Sequence, residues 1–183
     1  MQIDRYSAPA RAIHWTMAAL ILLMIPAGLV MVQPGLDRGL QNALFVFHKN
    51  TGVLLLLLVT LRLFVRFRYA SPALPATLPA AQARAAGASH LALYVLMIVV
   101  PLAGYIRVRA GGFPIESLDA MGLPGFVPRS DALAETAKAV HYFSSLTLAA
   151  ILCLHIAAAC FHGIVKRDGI FSRIWPPVGG GLR

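Results

Sequence analysis

Four long apolar segments dominate this sequence and restrict what it can fold into. They cover about residues 13–32, 43–65, 89–108 and 139–165. Each supplies the roughly 20 residues of helix that are needed to cross a hydrocarbon core. Inside a bilayer only helices and closed barrels pair all of their backbone polar groups. The sequence therefore predicts an all-α fold, a bundle of four transmembrane helices.

The composition agrees with a membrane protein. Hydrophobic residues make up 58% of the 183 residues and charged residues 13%, whereas soluble domains are about a quarter charged. The first segment is longer than the apolar core of a signal peptide and no small-residue cleavage site follows it, so we expect it to remain as a span. Four spans leave no room for a soluble domain, and residues 1–183 are predicted to form a single membrane domain.

The basic residues predict the orientation. With both termini on one side, that side carries ten Lys and Arg residues and the other side six. The positive-inside rule then places both termini in the cytoplasm. Acidic residues leave a net charge of about +8 inside and +1 outside. The overall charge of +9 thus reflects topology, and no nucleic-acid partner is expected. The ten inner residues are Arg5, Arg11, Arg62, Arg66, Arg68, Arg84, Lys166, Arg167, Arg173 and Arg183.

Two loops have a readable composition. Segment 70–88 contains regularly spaced prolines and is predicted to be an extended cytoplasmic connector. Segment 109–132 is rich in Gly and Pro and is predicted to be the largest outer loop, with a helical turn around residues 115–121. Either Ser130 or Asp131 is expected to cap the fourth helix.

Four histidines lie within or at the mouths of the apolar segments: His14, His48, His141 and His155. An ionisable residue in a bilayer indicates a functional site by default. His48 and His141 share an outer depth, and His14 and His155 share an inner depth. His141 and His155 are fourteen residues apart, which is about 21 Å along a helix, and they project from similar faces.

These depths favour two haem irons stacked across the membrane, each between imidazoles of two helices. Gly28 and Gly52 would let a porphyrin approach the backbone, although both also suit simple helix packing. One alternative is that each histidine only forms a hydrogen bond to a neighbouring helix. Another is a non-haem protein that uses its histidines for a transition metal or a proton relay.

The chain resembles the bacterial cytochrome b561 family, which is related to the b-type cytochrome subunits of nickel–iron hydrogenases. The resemblance rests on RYSAPARAIHW, FHKNTGVLLLLLVTLRLFVR, SHLALYVLMIVVPLAGY and HYFSSLTLAAILCLHIAAACFHGIVKRDGIFSRIWP. It implies a four-helix protein of the bacterial inner membrane with two non-covalent b haems (iron protoporphyrin IX). It places the iron ligands at His14 and His155 for the inner haem and at His48 and His141 for the outer haem.

Other residues have more than one interpretation. His162 is an alternative inner ligand, but the resemblance favours a quinone site beside the inner haem, where a titratable imidazole delivers protons. His90 is expected to bond a haem propionate, cap a helix or play a structural role. Cys153 and Cys160 lie too far apart on one helix to bridge. No CxxCH motif is present, so covalent haem attachment is not expected.

Charged and aromatic residues flank the predicted haem positions. Lys49, Lys138, Arg107 and Arg109 are expected either to pair with outer-haem propionates and attract an anion or simply to snorkel to the interface. Arg11 and Arg84 are the corresponding inner candidates, and Trp15 and Trp175 are predicted interface anchors.

The predicted activity is transmembrane electron transfer, because bis-histidine ligation leaves no open iron position. An outer donor would reduce the outer haem, and membrane quinone would accept electrons near His162. The resemblance implies superoxide as donor and ubiquinone as acceptor, which would make the protein a superoxide:ubiquinone oxidoreductase. The alternative is a membrane subunit that exchanges electrons with a hydrogenase, a dehydrogenase or another redox protein docked on loop 109–132.

Overall fold

The computed structural model describes residues 5–75 and 78–176. Within them all regular structure is helical. The helices are α1 (Ala8–Val30), α2 (Arg38–Arg68), α3 (Ala80–Ala110), α4 (Glu116–Ala120) and α5 (Asp131–Cys160), followed by a π-helix (Phe161–Lys166) and a 3₁₀ turn (Phe171–Arg173). Helices α1, α2, α3 and α5 with its π-helical continuation are each long and apolar enough to cross a membrane. The prediction of four transmembrane helices is confirmed. Arg183, one of the ten predicted inner cations, lies outside the described residues.

The helices begin before the apolar windows because their capping residues precede those windows. The Ser7 hydroxyl accepts a hydrogen bond from the Ala10 N–H at the start of α1. The Asp37 carboxylate accepts one from the Leu40 N–H at 2.9 Å. Ser130, and not Asp131, caps α5 by accepting from the Leu133 N–H. Hydropathy therefore marks the membrane-crossing part of each helix, and the caps mark where the helix begins.

The connector before α3 is shorter than predicted. Segment 70–88 was expected to be extended throughout, but α3 begins at Ala80, directly after Pro79. Residues 80–88 are mostly alanine with one glutamine and one arginine, which are strong helix formers. His90 consequently lies about three turns inside α3 and not at its first residue. The predicted turn in the outer loop is confirmed as α4.

The end of the last membrane helix also differs from the prediction of a regular helix through residue 165. A π-helix occupies Phe161–Lys166, and the chain then turns through Arg167 and Gly169, both with positive φ. Short π-helical stretches in α-helices are rare and are often found at functional sites. This one contains His162.

The packing leaves the two histidine levels at opposite ends of an apolar core. Helix α2 lies between α1 and α3, and α5 packs mainly along α3. Buried side chains from α1 and α2 fill the centre of their contact: Met17, Ile21, Met24, Leu55 and Val59. Apolar residues on the outer faces, such as Leu57 and Leu154, are exposed and suit contact with lipid.

The two ends of the described chain meet at one end of the bundle. The Tyr6 N–H donates to the Arg173 carbonyl at 3.1 Å. The indole N–H of Trp15 donates to the Ile174 carbonyl at 3.0 Å. Trp15 and Trp175, the predicted interface anchors, pack edge to face with ring centroids 5.3 Å apart. The segment after the π-helix therefore folds over the beginning of α1, next to His14.

Candidate haem sites

The structure brings the four membrane histidines together in the two predicted pairs. The ring centroids of His48 and His141 are 6.1 Å apart, and those of His14 and His155 are 6.4 Å apart. Helix α5 supplies one histidine to each pair, while α2 supplies the other outer histidine and α1 the other inner one. Each pair therefore joins two helices at one depth in the bundle.

The spacing within each pair suits a metal between the rings. A metal held by two imidazole nitrogens at about 2 Å each separates the ring centroids by roughly 6 Å. Both observed separations match that value. The donor set of each pair, two imidazoles, is also one that haem iron accepts.

Two glycines make room for the outer histidine rings. A Cβ atom on Gly28 would lie 2.9 Å from Cε1 of His48, and one on Gly104 would lie 3.1 Å from Nδ1 of His141. Side-chain carbon atoms do not approach ring atoms this closely without a shift. Gly28 was predicted as a close-approach position, whereas Gly104 was not. Gly52 is different, because its nearest neighbour would be the Met24 methyl at 3.9 Å.

A backbone carbonyl orients the His141 ring. Nδ1 of His141 lies 2.8 Å from the Val100 carbonyl oxygen, which can only accept. Nδ1 must therefore carry the proton, and Nε2 is free to bind a metal; this is the usual arrangement of metal-binding histidines. The His48 ring interacts with the backbone of Met24. However, its buried Nδ1 makes no hydrogen bond of standard geometry to the described residues.

A third histidine lies at the inner level. The ring centroid of His90 is 5.4 Å from that of His155, closer than the His14 ring. This separation is shorter than the roughly 6 Å expected when two imidazoles bind the same metal, so it does not suit a metal between His90 and His155. His90 is thus part of the surroundings of the inner pair, and its position well inside α3 argues against the alternative of a helix cap.

The cations beside the inner pair are not the ones predicted. Arg62 lies close enough to interact electrostatically with His14, His90 and His155. It also stacks on the Tyr94 ring, 5.8 Å from the centroid. Arg11 is buried and donates to the Pro176 carbonyl at 2.9 Å, and Arg84 is exposed near the start of α3. Sequence reasoning missed Arg62, although its position fourteen residues after His48 on α2 places it at the inner depth.

In the described part of the chain, three of the six outer cations are paired with acids. Lys49 binds Glu116 at 2.6 Å, Arg109 binds Asp119 at 2.6 Å and Lys138 binds Glu135 at 3.0 Å. The short helix α4 thus supplies two of the three acids. Among the described residues Arg107 has no such pair, and it is the outer arginine that interacts electrostatically with both His48 and His141.

These ion pairs change the ionisation of the α4 carboxylates. Partial burial tends to raise the pKa of Glu116, but hydrogen bonds from Lys49 and Asn50 outweigh it and hold that pKa below its usual range. The hydrogen bond from Arg109 holds the pKa of Asp119 below its usual range. Both carboxylates are therefore charged at neutral pH and neutralise cations at the outer mouth.

His162 forms a separate site at the inner end. Its Nδ1 lies 2.6 Å from a carboxylate oxygen of Asp168, and the two side chains are 14% and 25% exposed. A Cβ atom on Gly163 would lie 3.2 Å from the Phe171 side chain, which stacks on Trp175. The Phe171 ring also contacts Trp15, the neighbour of His14. Cys153 and Cys160 are both free thiols, as predicted.

Comparison with known sequences identifies the family. A model of the family described as prokaryotic cytochrome b561 matches residues 5–177. The chain belongs to this family. It is 29% identical over 174 residues to cytochrome b561 homolog 2 of Escherichia coli K12, an alignment that covers 93% of this chain and 91% of the relative.

Two further relatives match over similar lengths. The chain is 25% identical over 182 residues to cytochrome b561 homolog 1 of Escherichia coli K12, covering 95% of this chain and 98% of that protein. It is 26% identical over 176 residues to the probable superoxide oxidase CybB of Yersinia pestis, covering 94% and 96%. Membership confirms the resemblance seen in the sequence. It gives the protein b-type haem as cofactor and transmembrane electron transfer as activity, and argues against a non-haem metal site or proton relay.

Proposed function

We propose that this protein carries electrons across the bacterial inner membrane through two non-covalent b haems, from a donor at the outer face to ubiquinone at the inner end. The two histidine pairs support this proposal most directly. They lie fourteen residues apart on α5, about 21 Å by helix rise, and each has the spacing of two axial ligands. His48 and His141 would hold the outer haem, and His14 and His155 the inner haem.

The protein supplies binding, orientation and electrostatics for this chemistry. When bound, the haems would supply one-electron transfer, and the imidazoles of the two histidine pairs would hold them. Gly28 and Gly104 have no side chain, so the imidazoles of His48 and His141 can pack directly against the helix backbone. The Val100 carbonyl fixes the tautomer of His141. Arg62 provides a cation beside the inner pair. These contacts hold the rings where a metal requires them.

The excess of basic residues at the end of the bundle where Tyr6 meets Arg173 favours a cytoplasmic location for that end. The inner pair and His162 would then lie near the cytoplasmic face. Apolar side chains flank His162 on the exposed surface of the π-helix, with Phe161, Ile164 and Val165 all more than 40% exposed. A lipid-soluble quinone can therefore reach the imidazole from the bilayer.

The outer donor is proposed to be a small anion, with superoxide as the specific candidate. Arg107 supports this choice, because it is near both outer histidines and has no acidic partner among the residues described. A cation at the mouth of a low-dielectric site raises the local concentration of an anionic donor. One relative is named a probable superoxide oxidase.

A second candidate is a protein donor docked on the outer loop. Glu116 and Asp119 neutralise two of the outer cations, which weakens attraction of an anion. The same loop exposes large apolar side chains, with Phe113 65%, Met121 63% and Phe126 84% exposed. Clustered exposed aromatic residues are typical of protein-binding surfaces. In this case the protein would be a membrane subunit of a hydrogenase, a dehydrogenase or another redox complex.

One set of measurements tests these proposals. The purified protein should contain two haems per chain and show an α-band after reduction. Superoxide generated in solution should reduce it without any partner protein, and short-chain ubiquinone should reoxidise it. Failure of superoxide to reduce either haem would exclude the small-anion donor and favour the docked protein. His162→Ala should keep both haems and slow reoxidation by ubiquinone, whereas loss of a haem would make His162 the inner ligand.

A further inference from the structure

The π-helix and the turn after it bring His162 and Asp168 together in a side-chain pair that haem ligation does not use. Their nitrogen and oxygen atoms are 2.6 Å apart, a distance typical of a charge-assisted hydrogen bond. The other carboxylate oxygen of Asp168 accepts from the Ile170 N–H at 3.2 Å. Two contacts on two oxygens fix the carboxylate, so it can in turn fix the orientation of the imidazole.

An apolar surface flanks His162, and Asp168 lines a cavity. The apolar surface consists of the exposed apolar residues of the π-helix. The cavity, of about 230 Å³, is lined by Asp168 and Lys166 together with Pro75, Leu78 and Ile170. This volume is large enough for several water molecules. Asp168 is therefore in reach of water, while His162 borders the part of the surface that faces lipid.

We propose that Asp168 is the positioning residue of the quinone site. The carboxylate holds His162 with its proton on Nδ1, so that Nε2 faces away from Asp168 and is available to the quinone. The inference rests on the proposed quinone site at His162 and adds the residue that orients it.

The proton transfers balance with the electrons. Reduction of one quinone to the quinol takes two electrons and two protons, and the electrons come one at a time from the outer donor through the protein. For each proton the Nε2–H bond of the protonated imidazole breaks as an O–H bond forms at a quinone carbonyl oxygen. His162 keeps its Nδ1–H bond to Asp168 throughout, and Nε2 is reprotonated by solvent water between the two transfers. No further reactant is needed.

The charges around Asp168 agree with this role. Partial burial tends to raise the pKa of Asp168, but the hydrogen bonds from His162 and Ile170 and the charge of Lys166 lower it below its usual range. The carboxylate is therefore ionised at neutral pH and can accept the Nδ1–H of His162. An Asp that holds a catalytic imidazole in one tautomer is a well-known way to make histidine an efficient proton donor and acceptor.

Asp168→Asn is the sharpest perturbation. Asparagine can keep the bond to the Ile170 N–H through its side-chain oxygen, but it has no charge to hold the His162 proton on Nδ1. We expect reoxidation of the pre-reduced protein by short-chain ubiquinone to slow by at least about tenfold, within the usual range of acid–base contributions. The concentration of quinone that gives half-maximal rate should change little. Asp168→Glu should restore most of the rate, and Ser172→Ala, a change in the same turn, should leave it unchanged.

The tautomer of His162 is read independently of quinone by nitrogen NMR on histidine-labelled protein at alkaline pH, with His162→Gln to assign the signal. Wild-type His162 should be protonated on Nδ1, and Asp168→Asn should shift it toward the Nε2–H form. An Nε2–H tautomer in the wild type overturns the inference, as does a normal quinone rate in Asp168→Asn. A normal quinone rate in His162→Gln overturns the proposed quinone site instead, and the tautomer still decides whether Asp168 positions His162.

Discussion

Adding one methyl group beside His48 provides a sharp test of the outer haem site. In Gly28→Ala the new Cβ atom would lie 2.9 Å from Cε1 of His48. Carbon atoms in contact prefer at least about 3.5 Å, so the ring must retreat by roughly 0.6 Å. An axial bond of about 2 Å cannot absorb such a shift without tilting or lengthening.

The expected loss follows from that displacement. Changes in groups that orient metal-bound histidines typically cost about 10- to 100-fold in affinity, which is about 1.4 to 2.8 kcal/mol. The same substitution favours the helix by up to about 1 kcal/mol, because alanine is the better helix former. Gly28→Ala should therefore lower the occupancy of the outer haem while leaving the protein without haem as stable as before or more stable.

The assay counts haem per chain by pyridine haemochromogen and measures both midpoint potentials by redox titration. Gly52→Ala is the matched control, because its Cβ atom would meet only the Met24 methyl at 3.9 Å, and it should keep both haems. Two haems per chain with unchanged potentials in Gly28→Ala would show that the His48 ring is not held in place for a metal.

Three other predictions use the same measurements. His155→Ala should remove the inner haem and leave the outer one, and loss of both or neither would contradict the pairing. Arg107→Gln should slow reduction by superoxide several-fold and weaken its dependence on ionic strength, whereas Arg129→Gln should change both less. The pKa values of Glu116 and Asp119 lie below their ordinary values. Their ion pairs therefore stabilise the outer loop at pH values above the ordinary carboxyl range, about pH 4. This stability is lost as the pH falls through the lowered pKa values. Hydrogen exchange of the α4 amides should therefore be more protected at neutral pH than near pH 3 after correction for intrinsic rates.

The membrane helices and the histidine pairs were predictable because both depend on periodicity and depth. Apolar length gave the four helices, and the fourteen-residue interval between His141 and His155 put both on one side of α5. The resemblance to the family added the cofactor. The predicted number of membrane helices and the predicted proximity of the histidines in two pairs match the structure. Comparison with known sequences confirms the family.

The remaining features depend on contacts between distant parts of the chain. Glu116 is sixty-seven residues from Lys49, so its ion pair could not be read from the sequence. Arg62 was overlooked because an arginine near the end of an apolar helix usually snorkels to the interface. The π-helix was missed since its residues fit a regular helix equally well, and the Phe171 side chain that packs against Gly163 comes from a later turn.

Cations beside the two histidine pairs should influence the direction of electron flow. A reduced haem is one unit more negative than an oxidised haem, so a nearby cation stabilises the reduced state and raises the midpoint potential. Arg62 interacts with all three inner histidines, and its described contacts are to the Ala10 carbonyl and the Tyr94 ring, not to an acid. At the outer pair, α4 neutralises Lys49 and Arg109, while Arg107 has no acidic partner among the described residues and should raise the outer potential. Arg62 should raise the inner potential, and this contribution favours transfer from the outer haem to the inner one.

Arg62→Gln removes this bias. A unit charge near a partly buried site contributes on the order of 1 to 2 kcal/mol at an effective dielectric constant of about 20, so the inner midpoint potential should fall by several tens of millivolts. The outer potential should move much less. Arg84→Gln removes the same charge from an exposed position at the same end of the bundle and should shift neither. If Arg62→Gln moved both potentials equally, or raised the inner one, the proposed direction of transfer would lose its electrostatic basis.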